Sequence, residues 1–236
     1  MAVSAGRVPR SESVEDYLVT VYRLESEGER PVAARIAERL RISAPSVSEM
    51  IKRLVDEGLL ARRADRSLEL TQEGSRLAAE MIRRHRLAER LLTDLLGMPP
   101  GVSHEEAHRL EHALSTEVTE RLAEVLGHPS HCPHGHPIPQ RGADGPPPPE
   151  REGTVSLLDV GPGDRAAVAI LHEEDRQLLD YLWALGLAPG TEVEVVAVAP
   201  FDGPLELRIG VAGASVHMGR TAAAAVRVRP VGVAVG

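Results

Sequence analysis

Apolar residues recur at helical spacing three times between residues 11 and 60. "SESVEDYLVTVYRLES" (11–26) places Val14, Leu18, Val21, Tyr22 and Leu24 near one face, with Ser11 or Ser13 as candidate caps. "VAARIAERLRIS" (32–43) repeats the pattern with Ile36, Ala37 and Leu40. After a break at "RISA", residues 45–60, "PSVSEMIKRLVDEGLL", align Val47, Met50, Ile51, Leu54 and Val55. Pro45 suits a first helical turn and Gly58 a helix end. "LLARRADRSLELT" (59–71) then reads as two short strands around Ala64-Asp65-Arg66-Ser67. Helix, helix, turn, helix, hairpin predicts a winged helix-turn-helix over 1–77.

The pattern downstream predicts a long helix over 72–97, ended by Gly97, and a second over 103–127, ended by Gly127. Ser103 is the expected N-cap of the second, with Glu106 at the N3 position of a capping box. These helices and the proline-stiffened loop "HPSHCPHGHPIP" (128–139) define a helical domain over 78–140. Residues 141–153, with prolines at 146–149, have the composition of a semi-rigid linker. From Thr154 the texture changes to alternating Val-rich runs at 191–199, 205–211 and 224–230, separated by Gly and Pro and interrupted by one helix at 174–186. That predicts a small antiparallel barrel over 154–236. The expected fold class is therefore mainly α with a C-terminal all-β domain.

Composition narrows the function. The 236 residues carry 35 acidic and 27 basic side chains, net −8, which excludes a diffuse basic coat but not a local basic face. One cysteine, Cys132, permits no intrachain disulfide and fits a reducing compartment. No apolar run approaches the roughly 20 residues of a membrane span, and "MAVSAGRVPRSESVEDY" has no apolar signal core, so a cytoplasmic protein is expected.

"SHEEAHRLEH" (103–112) carries the chemistry. His104-Glu105-Glu106-Ala107-His108 is formally an H-E-x-x-H, the zinc-protease signature. Its extended form fails, because Glu111 stands where a glycine is required; Glu124 is a possible downstream glutamate ligand, but nothing else supports a peptidase. The same stretch holds His108, Glu111 and His112 at i, i+3 and i+4, on one helix face, where they can share an ion. His104 extends the stripe, and His85 and Glu89 form an i, i+4 pair on the preceding helix. Asp16 offers a hard oxygen, and Cys132 and His134 two further donors. The motif is best read as two overlapping metal half-sites, with Glu105 not a general base and no catalysis expected.

For nucleic acid, a helix-turn-helix presents the N-terminal end of its second helix to the major groove. Here that end is Ser43, Ala44, Pro45, Ser46, Ser48 and Glu49, small or polar groups that permit close approach. Arg35, Arg39, Lys52, Arg53 and Arg66 are the candidate phosphate contacts.

Taken in order, "ARIAERL", "APSVSEMIKRL", "ADRSLELT", "HRLAERLLTDLLG", "SHEEAHRLEH" and "CPHGHPIP" resemble the diphtheria toxin repressor family of iron- and manganese-dependent transcription regulators. "LLDYLWALGLAPGTEVEV" resembles the SH3-like, FeoA-type domain of its longer members. The resemblance implies a homodimer that binds double-stranded DNA at a palindromic operator, with residues 78–140 forming the dimer interface and metal sites, and with no membrane or small organic substrate as partner. It also implies a regulatory site at Asp16, His108, Glu111 and His112. A second site falls on His85, Glu89 and His104 plus an acid from the last domain. Glu173, Glu174 and Asp175 are available there, and the preferred alignment takes Asp175. In some manganese-type relatives Cys132 and His134 have counterparts that join this site.

Iron-type members carry methionine and cysteine where Asp16 and His108 stand. Replacing sulfur with oxygen and imidazole favours Mn(II) as the activating ion, with Fe(II) as the alternative. Short manganese-type members instead carry glutamates at the positions of Val19 and His108, so the resemblance does not carry their paired-metal site over to this chain. Zn(II), Co(II) or Ni(II) would substitute in vitro. Glu49 replaces an amide common in iron-type relatives, so its carboxylate could accept from cytosine N4 or simply repel phosphate.

Overall fold

The computed structural model describes residues 12–210, 213 and 215–231. Ser11 lies outside them, and Ser13 falls inside the first helix rather than capping it. The chain divides into two compact units, residues 1–83 with 139–149, and residues 84–138 with 150–236.

In the first unit, α1 (Glu12–Ser26), α2 (Ala33–Leu40) and α3 (Ala44–Asp56) precede the two-stranded ribbon β1 (Leu60–Arg62) and β2 (Leu68–Leu70). The helices bury the stripes their periodicity marks out: Val14, Leu18, Val21, Ile36, Val47, Ile51 and Leu54 are all at most 1% exposed. α3 begins where expected: Ser43 Oγ accepts from the Ser46 amide, and Pro45 lies in the first turn. The wing is pinned by Asp65, whose Oδ1 accepts from the Ser67 amide and hydroxyl and whose Oδ2 pairs with Arg30 at 2.6 Å. Residues 139–149 are not a free spacer. Ala143 packs on the core of this unit, Asp144 accepts from Gln72, and the Gly145 carbonyl accepts from Ser75.

α4 (Gln72–Arg90) is one continuous helix that ends in a π-helical turn, Leu91–Leu95. The expected single helix over 103–127 is instead two, α5 (Pro100–Glu111) and α6 (Thr116–Val125). Two local signals outcompete the long-period reading. Pro100 pre-sets a helical start upstream of Ser103, whose hydroxyl merely donates back to the Pro99 carbonyl. Ser115 then caps a fresh start, accepting from the Val118 amide.

The remainder of the second unit is a six-stranded antiparallel sheet in the order β3-β8-β4-β5-β6-β7. Its strands are β3 (Val155–Ser156), β4 (Arg165–Leu171), β5 (Glu192–Val198), β6 (Leu205–Ile209), β7 (Ser215–Met218) and β8 (Val226–Val231). Register shifts at Val168/Ile170 and Val195/Ala197 bend β4 and β5, as bulges do. α7 (Arg176–Ala184) and the short α8 (Arg220–Ala224) complete this unit. α7 packs on α5, where Gly101 leaves room for Asp180.

Candidate metal centre and nucleic-acid interface

The loop at 128–139 is held as a lid on β4. Cys132 N–H donates to the His136 carbonyl, and Leu171 N–H donates to the His134 carbonyl. Gly135 has φ +94, and a Cβ there would lie 1.9 Å from the Ala169 carbonyl oxygen. Only glycine lets this turn approach the strand so closely.

That docking inserts His134 between α4, α5 and the end of β4. Glu89 Oε1 then has three imidazole nitrogens around it: His104 Nδ1 at 2.7 Å, His85 Nε2 at 3.1 Å and His134 Nδ1 at 3.2 Å. Glu173, just past β4, approaches His134 Nδ1 at 3.4 Å. Glu89, His104, His134 and Glu173 present ligand atoms within 4.8 Å of one another, and all four are buried. Among them, Glu89 Oε2 and His134 Nε2 are sealed from water and find no hydrogen-bond partner among the described residues.

Such crowding of carboxylates and imidazoles in a dry site is costly unless a cation compensates it. In the bare chain protons fill that role. Burial opposes charge on His134, yet the neighbouring Glu89 carboxylate raises it well above the ordinary histidine range. Burial likewise works against Glu89, and the charges of His134 and His85 hold it well below the ordinary carboxylate range. His104, where burial dominates, is pushed down toward the neutral imidazole that a metal ligand must be. An all-N/O donor set with unsatisfied lone pairs fits a divalent ion of intermediate or hard character.

The second cluster is centred on Glu111. Its Oε2 lies 2.7 Å from His85 Nδ1, and its Oε1 lies 3.2 Å from His108 Nδ1 and 3.5 Å from His112 Nε2. Desolvation would raise the Glu111 carboxyl, but hydrogen bonds with His108 and His85 bring it down to about 2. The His108 side chain is 46% exposed, so this cluster opens to solvent while the first does not.

His85, expected only with Glu89 and His104, reaches both clusters, one ring nitrogen toward each. Burial opposes its charge, but Glu89 and Glu111 lift it to about 9. Asp175 does not join the buried cluster. It is exposed and caps α7, accepting from the Leu178 amide, while Glu173 occupies the expected acidic position. Two residues of register decide this, because Glu173 still follows the end of β4 inward whereas Asp175 begins a helix. Cys132 stands 4.0 Å from His134 Nδ1, outside the four-residue group, and burial pushes its thiol up to about 11. Asp16 lies half-buried on α1, in the first unit.

The H-E-x-x-H motif is split: His104 belongs to one cluster and His108 to the other, and Glu105 pairs with Arg176 at 2.8 Å instead of facing either. Sequence reasoning missed a polar triad beneath the loop. Arg86, fully buried, pairs with Glu150 at 2.6 Å, and His136 Nδ1 meets the other Glu150 oxygen at 2.6 Å. Glu150 directly follows four prolines, so no periodicity marked it.

On the DNA-reading face, Ser43, Pro45, Ser46, Ser48, Glu49 and Lys52 are exposed at and along α3. Ser48 donates to the Ala44 carbonyl. Arg53 pairs with Glu57 at 2.7 Å and Arg35 with Glu38 at 2.9 Å, both in the open. Arg66 is exposed at the wing turn. Arg39 is a fold clamp rather than a phosphate contact: it is 17% exposed and holds both oxygens of Glu27.

Three family models match in order. They are an iron-dependent repressor N-terminal DNA-binding domain at 10–68, an iron-dependent repressor metal-binding and dimerisation domain at 71–140, and a FeoA domain at 155–230. The diphtheria toxin repressor of Corynebacterium efficiens is 41% identical over 193 residues, covering 78% of this chain and 83% of that protein. The iron-dependent repressor IdeR of Mycobacterium tuberculosis is 41% identical over 192 residues, covering 78% and 84%. A solved manganese-dependent transcriptional repressor in complex with manganese superposes with TM-score 0.81 at 34% identity, over 92% of this chain and all of that one.

Proposed function

We propose that this chain, which belongs to the diphtheria toxin repressor family, is a homodimeric, Mn(II)-activated repressor that acts in the cytoplasm on a palindromic operator. Its relatives are repressors rather than enzymes, in keeping with the split H-E-x-x-H motif. The observation that carries the choice of ion is the donor set. Imidazole and carboxylate converge in both clusters, and the only thiol stands outside the buried one, protonated. Hard carboxylate oxygen suits Mn(II), and neither cluster contains the thiolate that would select a soft ion. Fe(II) is the second reading, supported by the iron-dependent relatives and by the imidazole content.

In this reading Glu89, His104, His134 and Glu173 hold one ion as a structural element of the second unit. Glu111, His108 and His112 form the regulatory half-site, to which the family resemblance adds Asp16. The ion supplies the positive charge that the buried carboxylates otherwise take from protons. It favours the DNA-competent form only by binding that form more tightly. A second copy of the chain is the expected partner of α6, whose inner face packs Leu122 and Ala123 while Val118 and Val125 stay 50% and 61% exposed.

The test is an anaerobic DNA-binding titration on an operator recovered by selection from random duplexes, with Mn(II) and Fe(II) in parallel, for wild type and His108→Ala. Metal-dependent binding that the variant loses, saturating at lower free Mn(II) than Fe(II), is the expected result. Activation at lower free Fe(II) would replace the ion but keep the mechanism. Equal binding in chelator would overturn the regulatory site.

A further inference from the structure

α1, α3, α6 and α7 are each followed by a glycine with positive φ: Gly28 at +74, Gly58 at +69, Gly127 at +73 and Gly186 at +81. α2 is not. Its left-handed residue is Arg41, at φ 54 and ψ 41. The backbone there is a regular helix terminus, with Arg41 N–H donating to Glu38 O and Ile42 N–H to Ala37 O. A glycine fits this position without penalty, and a long β-carbon-bearing side chain is disfavoured. Something other than folding therefore favours arginine.

Arg41 is the turn of the helix-turn-helix, two residues before the Ser43 cap of α3. Its side chain is exposed, and no ion pair involves it among the described residues. That sets it apart from Arg30, Arg35, Arg39, Arg53, Arg63 and Arg76, each of which is held by a carboxylate of the same unit. The far side of α3 repeats the arrangement. Arg66, at the tip of the wing, is exposed and also left-handed, at φ 67. The first unit thus holds two arginines in backbone positions suited to glycine, one at the turn before α3 and one on the wing after it.

We propose that Arg41 is a phosphate-anchoring residue, which with Arg66 brackets the recognition helix and grips the DNA backbone on either side of the groove that α3 enters. This inference rests on the DNA-binding reading above. The unpaired guanidinium adds to the positive end of α3, and both favour a phosphate. A contact to phosphate positions α3 without reading sequence.

Arg41→Gly tests this cleanly, because glycine relieves the backbone and the variant has every reason to fold. Its Tm should equal the wild type's or exceed it by up to about 4 °C. Operator binding by the metal-loaded full chain should weaken, by about fivefold per lost phosphate contact at 0.15 M salt. The slope of log K against log salt should fall in magnitude by about 0.9 per contact. Arg41→Lys should retain most of that slope, and Arg165→Ala, which removes the same charge from β4, should change neither readout. An Arg41→Gly protein with wild-type affinity and slope would overturn the proposal while leaving DNA binding intact. A wild-type chain with no salt-sensitive operator binding would overturn both.

Discussion

Removing the Glu150 carboxylate leaves the buried Arg86 guanidinium without the carboxylate that pairs with it directly. The Arg86 side chain is 2% exposed, its Nη2 lies 2.6 Å from Glu150 Oε1, and its Nη1 donates to the Pro137 carbonyl. Burial works against charge on both groups. Arg86 nevertheless stays raised through Glu150, and the Glu150 carboxyl is brought down to about 2, by Arg86 foremost and by His136. In Glu150→Ala the guanidinium keeps the Pro137 carbonyl as acceptor and the through-space charge of Glu173, but loses its direct ion pair. Breaking a buried pair in this way costs about 3–5 kcal/mol. For a chain of this size that corresponds to a Tm lower by about 6–20 °C. The assay is thermal unfolding followed by circular dichroism at pH 7 in chelator, at fixed protein concentration, so that neither metal nor dimerisation masks the effect. Arg86→Met/Glu150→Leu, which removes both charges and fills the space, should recover most of the loss, because an apolar replacement of a buried pair is often neutral. The acid dependence has a definite sign. A carboxyl depressed in the folded state stabilises above its unfolded value, near 4.5, and loses that contribution as pH falls through about 2. The gap between wild type and Glu150→Ala should therefore be full at pH 7 and shrink between about 4.5 and 2. A variant that melts within about 2 °C of wild type at pH 7 would mean that water reaches Arg86, and the buried-pair argument would fail.

Further tests address the site itself. Gly135→Ala, which combines positive φ with a Cβ 1.9 Å from the Ala169 carbonyl, should displace the loop that carries His134. Mn(II) affinity measured by isothermal titration should then fall by tenfold or more at one site, and unchanged binding would refute the lid role of the loop. Glu173→Gln should lower affinity at the buried cluster by about 10–100-fold, the range seen when a ligand's environment is disturbed. Asp175→Asn should leave it within a factor of two, and the reverse ranking would restore Asp175 as ligand. Glu105→Gln should keep metal-dependent operator binding intact, since its carboxylate pairs with Arg176 away from both clusters. Val125→Asp should shift the dimer toward monomer in sedimentation velocity while retaining helix content, and an undisturbed dimer would place the interface elsewhere.

Much of this molecule is local and was legible in one dimension. The three helices and ribbon of the first unit follow from apolar periodicity, Pro45 in a first turn and the glycine at 58, because each signal acts within a turn or two of itself. That His85 and Glu89, and His108, Glu111 and His112, share helix faces was readable from spacing alone. Competition between nearby signals was harder to weigh. Ser103 reads as a cap from the sequence, and the break between α5 and α6 came from Pro100 and the Ser115 cap prevailing over an unbroken period. What only the tertiary structure decided was every contact between distant segments. Glu173 rather than Asp175 faces the histidines because it lies two residues past the end of β4, whereas Asp175 is taken up as the N-cap of α7. His134 reaches Glu89 because Gly135 lets the loop lie against Ala169. Glu150, in a stretch that reads as a spacer, neutralises Arg86 because the chain folds back onto α4 across 64 residues. Periodicity records which face of an element is buried, but not which other element will cover it. A sealed cluster of charges is made entirely of such choices, since each group is tolerable only when its distant partner is in place.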